Sequence, residues 1–224
     1  MKNRTRKIID ISLHFSIFAL VIFSYLMMAL NGWGVKSDTL ASSGITSLRF
    51  FTVLSNLLMG AISLLAAIFG LKHLKEDEYQ EPKWLRVLKL SGVNGVAITF
   101  LVVLIFLEPQ MPGLGLGFFD LYLRSNFFMH FFVPVLATVA YLFFDERDDF
   151  KWRMTPFAIV PLTIYGVFYL INFLVHGAVP KGPEDWYGFG MWGAGPSFFV
   201  LLIVLAFGLG VATGLYYLKR IIRK

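Results

Sequence analysis

The chain contains no cysteine, so disulfides, thiolate catalysis and cysteine-ligated metals are all excluded. Charge is scarce as well: Asp, Glu, Lys and Arg make up only 15% of 224 residues. No internal repeat and no low-complexity tract interrupts the sequence, and no long polar stretch leaves room for a separate soluble domain. The first apolar run is too long for the core of a typical signal peptide and lacks a clear small-residue cleavage site, so it reads as a first span.

What the chain has in abundance is apolar length. Hydrophobic residues make up 57% and aromatic residues 17% of it. Six apolar stretches run Ile8–Leu30, Phe50–Leu71, Leu85–Leu107, Phe118–Phe144, Pro156–Leu174 and Pro196–Leu218. About 20 apolar residues in a helix cross a hydrocarbon core of roughly 30 Å. Lipid offers no partner to a bare peptide group, so each stretch should be helical. The expected fold is all-α: a polytopic integral membrane protein with one six-helix transmembrane domain over residues 1–224.

The net charge of +6 is unevenly spread. Four basic residues (Lys2, Arg4, Arg6, Lys7) precede span one, and four (Lys219, Arg220, Arg223, Lys224) end the chain. Lys72, Lys75, Lys83, Arg86 and Lys89 surround the second loop, and Arg147, Lys151 and Arg153 lie in the fourth. The intervening loops hold only Lys36, Arg49, Arg124 and Lys181, so sixteen basic residues face four. The positive-inside rule then puts both termini in the cytoplasm, as an even number of spans allows. This pattern speaks for a membrane and against nucleic acid. The mixed-charge loops Lys72–Arg86 and Asp145–Arg153 read as solvated faces. The fifth loop, His176–Gly195, is rich in Gly, Pro, Trp and Tyr. It reads either as an interfacial aromatic belt or as a flap folded over the bundle's outer mouth.

Polar groups inside apolar spans are costly and point to function. Span two opens Arg49-Phe-Phe-Thr52-Val-Leu-Ser55-Asn56, with Thr52, Ser55 and Asn56 on one helix face. Asn126, His130 and Pro134 share a face of span four. Tyr165, Tyr169, Asn172 and His176 share one on span five, and Asn94 sits in span three. Counting about 1.5 Å per residue from Arg49 and Arg124 brings a hydroxyl and the imidazole to similar depth, Ser55 matching His130 at least as well as Thr52 does. A hydroxyl within reach of a histidine is the minimum for an activated oxygen nucleophile, and Thr52 and Ser55 both offer one. Asn56, Asn126 or Asn172 could donate to a developing oxyanion, and Tyr165, Tyr169 and His176 could line the cavity. The plainer roles are back-bonding for the hydroxyls, interhelical glue for the amides and packing for the histidine.

These residues also carry a family resemblance. The Arg-Phe-Phe-Thr-Val-Leu-Ser-Asn-Leu-Leu segment, His130 followed by Pro134, and Asp185-Trp186-Tyr187-Gly-Phe189 before the last span resemble the androgen-induced and androgen-dependent membrane proteins. The likeness is closer still to their bacterial six-helix relatives. It implies a multi-pass threonine hydrolase that cleaves fatty acid esters of hydroxy fatty acids or similar lipids, with Thr52 as nucleophile and His130 as base. The alternative is a non-catalytic transporter or lipid-binding protein with a polar cavity.

Three lesser readings complete the set. Asp10 and His14 form an i, i+4 pair that reaches towards headgroups or relays protons. Gly210 and Gly214 permit close helix contact, as a homodimer face or within the bundle. No cofactor and no metal is expected; His130 and His176 would be the one pair to share a metal in an outer cavity.

Overall fold

The computed structural model describes residues 3–31, 44–76, 81–114, 117, 119–145, 151–179, 184–190 and 193–223. Among them six helices are long and apolar enough to cross a membrane: Arg4–Leu30, Phe51–Lys72, Lys83–Gly113, Ser125–Phe144, Trp152–Val175 and Gly195–Ile222. They are spans one to six, and no strand occurs among the described residues. Their outward faces carry Ile22, Phe23, Ile68, Ile164, Phe168, Phe199 and Ile203, all exposed. A soluble monomer rarely shows so much contiguous apolar surface. These six apolar helices have the build of an integral membrane protein.

Span three is the most enclosed helix and span six the least. Span three packs against spans two, four, five and six, while span one lies along spans two and four. Small residues make this possible. A Cβ at Gly92 would stand 2.8 Å from Met59 Sδ, and one at Gly60 would stand 2.9 Å from Val21 Cγ1. Any larger side chain there would push the helices apart.

Two boundaries differ from expectation. Span four begins at Ser125 rather than Phe118, because the chain first makes a separate turn at Asp120–Tyr122. The third loop is partly helical: span three continues through the π segment Val103–Leu107 into a tighter turn over Glu108–Leu114. Gly210 and Gly214 are exposed, and a Cβ at either would meet nothing within 4 Å. Tight packing inside the bundle is therefore not their role.

The ends of the bundle differ in chemistry. At the end that holds both described termini, Arg6 Nε donates to Phe144 O at 3.0 Å and Arg223 Nη2 to Asp145 O at 2.7 Å. Beneath them lies a buried ionic network. Lys89 Nζ is 2.6 Å from Glu81 Oε1, 2.8 Å from Asp145 Oδ1 and 3.9 Å from Asp10 Oδ2. Lys219 Nζ lies 3.8 Å from Asp145 Oδ2. His14 bridges Asp145 Oδ1 at 3.2 Å and Ser63 Oγ at 3.3 Å. This corrects two expectations. Glu81 and Asp145, from the loops read as solvated, are buried, and His14 turns into the bundle rather than towards headgroups. Once spans one, two, three, four and six converge, the carboxylates can leave water only by finding cations and hydrogen bonds inside. Burial works against the Asp145 carboxylate, but Lys89 and Lys219 outweigh it and hold the group well below the usual carboxylate range.

Candidate active site

At the opposite end, span two starts where Phe50 is extended (φ −86°, ψ 133°) and no side chain of the preceding residue caps it. The first N–H groups of a helix need partners from elsewhere. Here Phe51 N donates to the hydroxyl of Tyr187, at 2.8 Å, from loop five. Burial, with the nearby Tyr165 hydroxyl, pushes Tyr187 well above the ordinary tyrosine range, so it remains a neutral phenol. Thr52 follows one residue later, half-buried.

His130 reaches the same depth because span four is locally unwound. Pro134 has no N–H to donate four residues back, to His130. The helix answers with a π turn over Phe128–Phe132, in which Val133 N–H reaches Phe128 O five residues away. Such turns often mark functional positions. His130 is buried at 8% exposure, and its Nε2 lies 3.4 Å from Thr52 Oγ1. That is at the long end of hydrogen bonding, as is common for a catalytic pair without substrate. The backbone of Leu121 reaches the same imidazole.

The other expected site residues fall into two groups. Ser55 and Asn56 lie beside the pair but are turned to other partners. Ser55 Oγ donates to Thr52 O at 3.1 Å, and the residue packs on span three, where a Cβ at Gly95 would sit 3.2 Å from Ser55 Cβ. Asn56 Nδ2 donates to Thr52 O at 2.8 Å and to Met129 O at 3.1 Å, tying span two to span four directly behind His130. Asn126 is buried one turn before His130, and its Oδ1 has no hydrogen-bond partner among the described residues. The second group belongs to loop five. Tyr165 donates to Arg49 O at 2.6 Å and Tyr169 donates to Asp185 Oδ1. Asn172 Nδ2 donates to Glu184 Oε2 at 2.7 Å. His176 does not join them: it is exposed, with Nδ1 2.8 Å from Asn172 O on its own helix.

The described segment 184–190 of loop five is thus folded over this end of the bundle rather than spread as a belt. Trp186 Nε1 donates to Tyr165 Oη at 3.0 Å, and Tyr187 packs on Phe50, Tyr165, Tyr169 and Phe189. Gly190 closes the fold, with its N–H 3.1 Å from Asp185 Oδ1 and its Cα against Phe173. Tyr187→Phe should cost about 1 kcal/mol of stability or slightly more, since the Phe51 N–H loses its acceptor. A melting curve beside that of the parent protein reads this, with the loss confined to the variant lacking the hydroxyl.

The ionic network at the termini end escaped sequence reasoning, as did the cap that Tyr187 provides. Asp10 and His14 were visible as a pair, but Lys89 and Asp145 lie far off in sequence and no spacing rule joins them. Asp10, His14 and Asp145 could hold a metal ion, offering ligand atoms within 4.8 Å of one another; the Lys89 ammonium already supplies positive charge there.

Comparison with models of protein families, with curated proteins and with solved structures finds no match.

Proposed function

We propose that the protein is a membrane-embedded hydrolase of lipid esters, with Thr52 as nucleophile and His130 as general base. The observation that carries this reading is the 3.4 Å approach of Thr52 Oγ1 to His130 Nε2, from two different spans at one end of the bundle. It fits the family resemblance of the Thr52 and His130 segments. Thr52 Oγ attacks the ester carbonyl while its proton passes to His130 Nε2. The tetrahedral intermediate collapses, the C–O bond to the leaving alcohol breaks, and the imidazolium returns the proton to that alkoxide. Water, deprotonated by His130, then attacks the acyl-threonine ester; as that intermediate collapses, the bond from the acyl carbon to Thr52 Oγ1 breaks, His130 returns the proton to Thr52 Oγ1, and the acid is released. Ser55 is the weaker candidate because its hydroxyl is bonded to its own helix and packed on span three. Labelling with a fluorophosphonate probe tests the assignment: it should be lost in Thr52→Ala and His130→Ala and kept in Ser55→Ala. Labelling that persists in Thr52→Ala but vanishes in Ser55→Ala would move the nucleophile.

A second reading, a non-catalytic transporter or lipid-binding protein, draws support from the buried network of Asp10, His14, Lys89, Asp145 and Lys219, because intramembrane ionisable clusters often serve ion or proton pathways. It requires ligand binding with no acyl-enzyme detectable by mass spectrometry.

We place the chain in a bacterial plasma membrane with both termini cytoplasmic, and its substrate in the bilayer. The distribution of sixteen basic residues against four supports the orientation. A homodimer through Gly210 and Gly214 fits their open, outward position. The absence of native cysteine makes the orientation easy to map. A membrane-impermeant maleimide should label Val179→Cys in intact cells, and Thr5→Cys only after permeabilisation. The reverse pattern would invert the topology.

A further inference from the structure

Arg49 stands three residues before Thr52, at the end where loop five closes over the bundle. Its position is fixed from several sides. Its carbonyl accepts the Tyr165 hydroxyl at 2.6 Å. Its guanidinium lies 5.0 Å from the Phe50 ring centre and 6.0 Å from that of Trp186. Trp186 is itself held by Tyr165, at 3.0 Å.

Among the described residues no carboxylate pairs with Arg49, and its Nε is shielded from solvent without a hydrogen-bond partner. The two nearby acids of loop five are turned to other groups. Asp185 accepts from Tyr169 and Gly190, and Glu184 accepts from Asn172. A guanidinium is always charged and offers five donors in a planar fork. Aromatic faces compensate a cation only in part, and they leave the edge of the fork open. A fixed cation of this kind, one residue pair from the nucleophile, is suited to a planar or tetrahedral oxyanion bound edge-on.

We propose that Arg49 binds the anionic group, a carboxylate or a phosphate, of the long-chain ester taken by the Thr52–His130 site, and so selects acidic over neutral lipid esters. The proposal deepens the hydrolase reading and rests on it for the identity of the reacting ester. Arg49 is a specificity-determining residue here; the bond-making steps remain with Thr52 and His130.

The test uses the full-length protein in detergent micelles and separates binding from turnover. Three ester substrates share one acyl chain: one ends in a free carboxylate, one in its methyl ester and one in a phosphate. For the parent protein, kcat/KM should favour the carboxylate or the phosphate over the methyl ester by at least tenfold, and which of the two leads identifies the anion. Arg49→Gln should raise KM for the acidic substrates 10- to 100-fold, leave kcat within about threefold, and leave the methyl ester unaffected. Arg49→Lys should recover part of the loss, more for phosphate than for carboxylate. In parallel, quenching of Trp186 fluorescence by a long-chain fatty acid, by an alkyl phosphate and by the fatty acid methyl ester reads binding directly. Trp186→Phe identifies the signal, and melting curves confirm that each variant folds. Turnover with equal preference for charged and neutral esters, or an Arg49→Gln defect that falls equally on both, overturns the proposal and leaves the hydrolase reading standing. Arg49-dependent binding of the acidic amphiphiles with no turnover of any ester overturns the hydrolase reading and retains Arg49 as an anion site.

Discussion

Thr52→Ala should abolish ester turnover, lowering kcat/KM by about a thousandfold or more, the order expected when a nucleophile is removed from an acyl-transfer site. His130→Gln should cost a similar factor, because a threonine hydroxyl is a poor nucleophile unless a base takes its proton as it attacks. The two effects should not add. Residues that act as one unit lose their joint contribution when either is removed, so the double variant should be no slower than the worse single one. Thr52→Ser is the informative control, since it keeps the oxygen and changes only the methyl group. It should retain measurable activity. Two outcomes of the kinetics sink the pairing: multiplicative losses in the double variant, or full activity in Thr52→Ala. Stability provides the counter-check. The Thr52 hydroxyl is half-buried, and its approach to His130 is long at 3.4 Å, so Thr52→Ala should melt within about 1 kcal/mol of the parent.

The second large effect lies at the other end of the bundle. Lys89→Met should destabilise the fold by about 3–5 kcal/mol, the cost of leaving buried charge uncompensated. Lys89 touches Glu81, Asp145 and Asp10, and with it gone three acids crowd a site shared by spans one, three and four. Solvent screening offers little relief, since Lys89 is 1% exposed and Asp145 is 2% exposed. The dependence on pH distinguishes this cause from a mere change of shape. In the parent protein the folded state holds Asp145 below its ordinary carboxylate value of 3.8. The stability this contributes is complete above that value and is lost as pH falls below it. In Lys89→Met the acids no longer gain from being charged, so lowering the pH should narrow the gap between variant and parent. Thermal melts from pH 7 down to about pH 2 read both trends. A gap that stays constant with pH would assign the loss to packing alone.

The fold was legible to the extent that apolar length dictates it. Phe51–Lys72 matches its expected span almost to the residue, because a run of 22 residues ending at Lys72 admits no other arrangement in lipid. Where the chain meets the interface, hydropathy is a poor guide. Phe118–Leu123 is largely apolar and runs straight into the span that follows, yet the turn at Asp120–Tyr122 takes part of it out of span four. At the site, the i, i+3 and i+4 rule put Thr52, Ser55 and Asn56 on one face, and that much can be read from spacing. It could not say which of them meets His130. That choice depends on how closely span three approaches at Gly95, which holds Ser55 against it, and on the π turn that Pro134 imposes on span four. Both are products of tertiary packing. The network of Lys89, Asp145, Glu81 and His14 was illegible for the same reason, as its members are 131 residues apart at the extreme.

The bond from Phe51 N to Tyr187 Oη ties the flap to the very helix that carries the reactive alcohol. A molecule that entered along the bundle axis would have to unlatch that amide and leave it bare, a toll of about 1–3 kcal/mol before any contact is gained. Any movement of the flap away from span two therefore begins by stripping that amide of its acceptor, and the closed position is the one the backbone prefers.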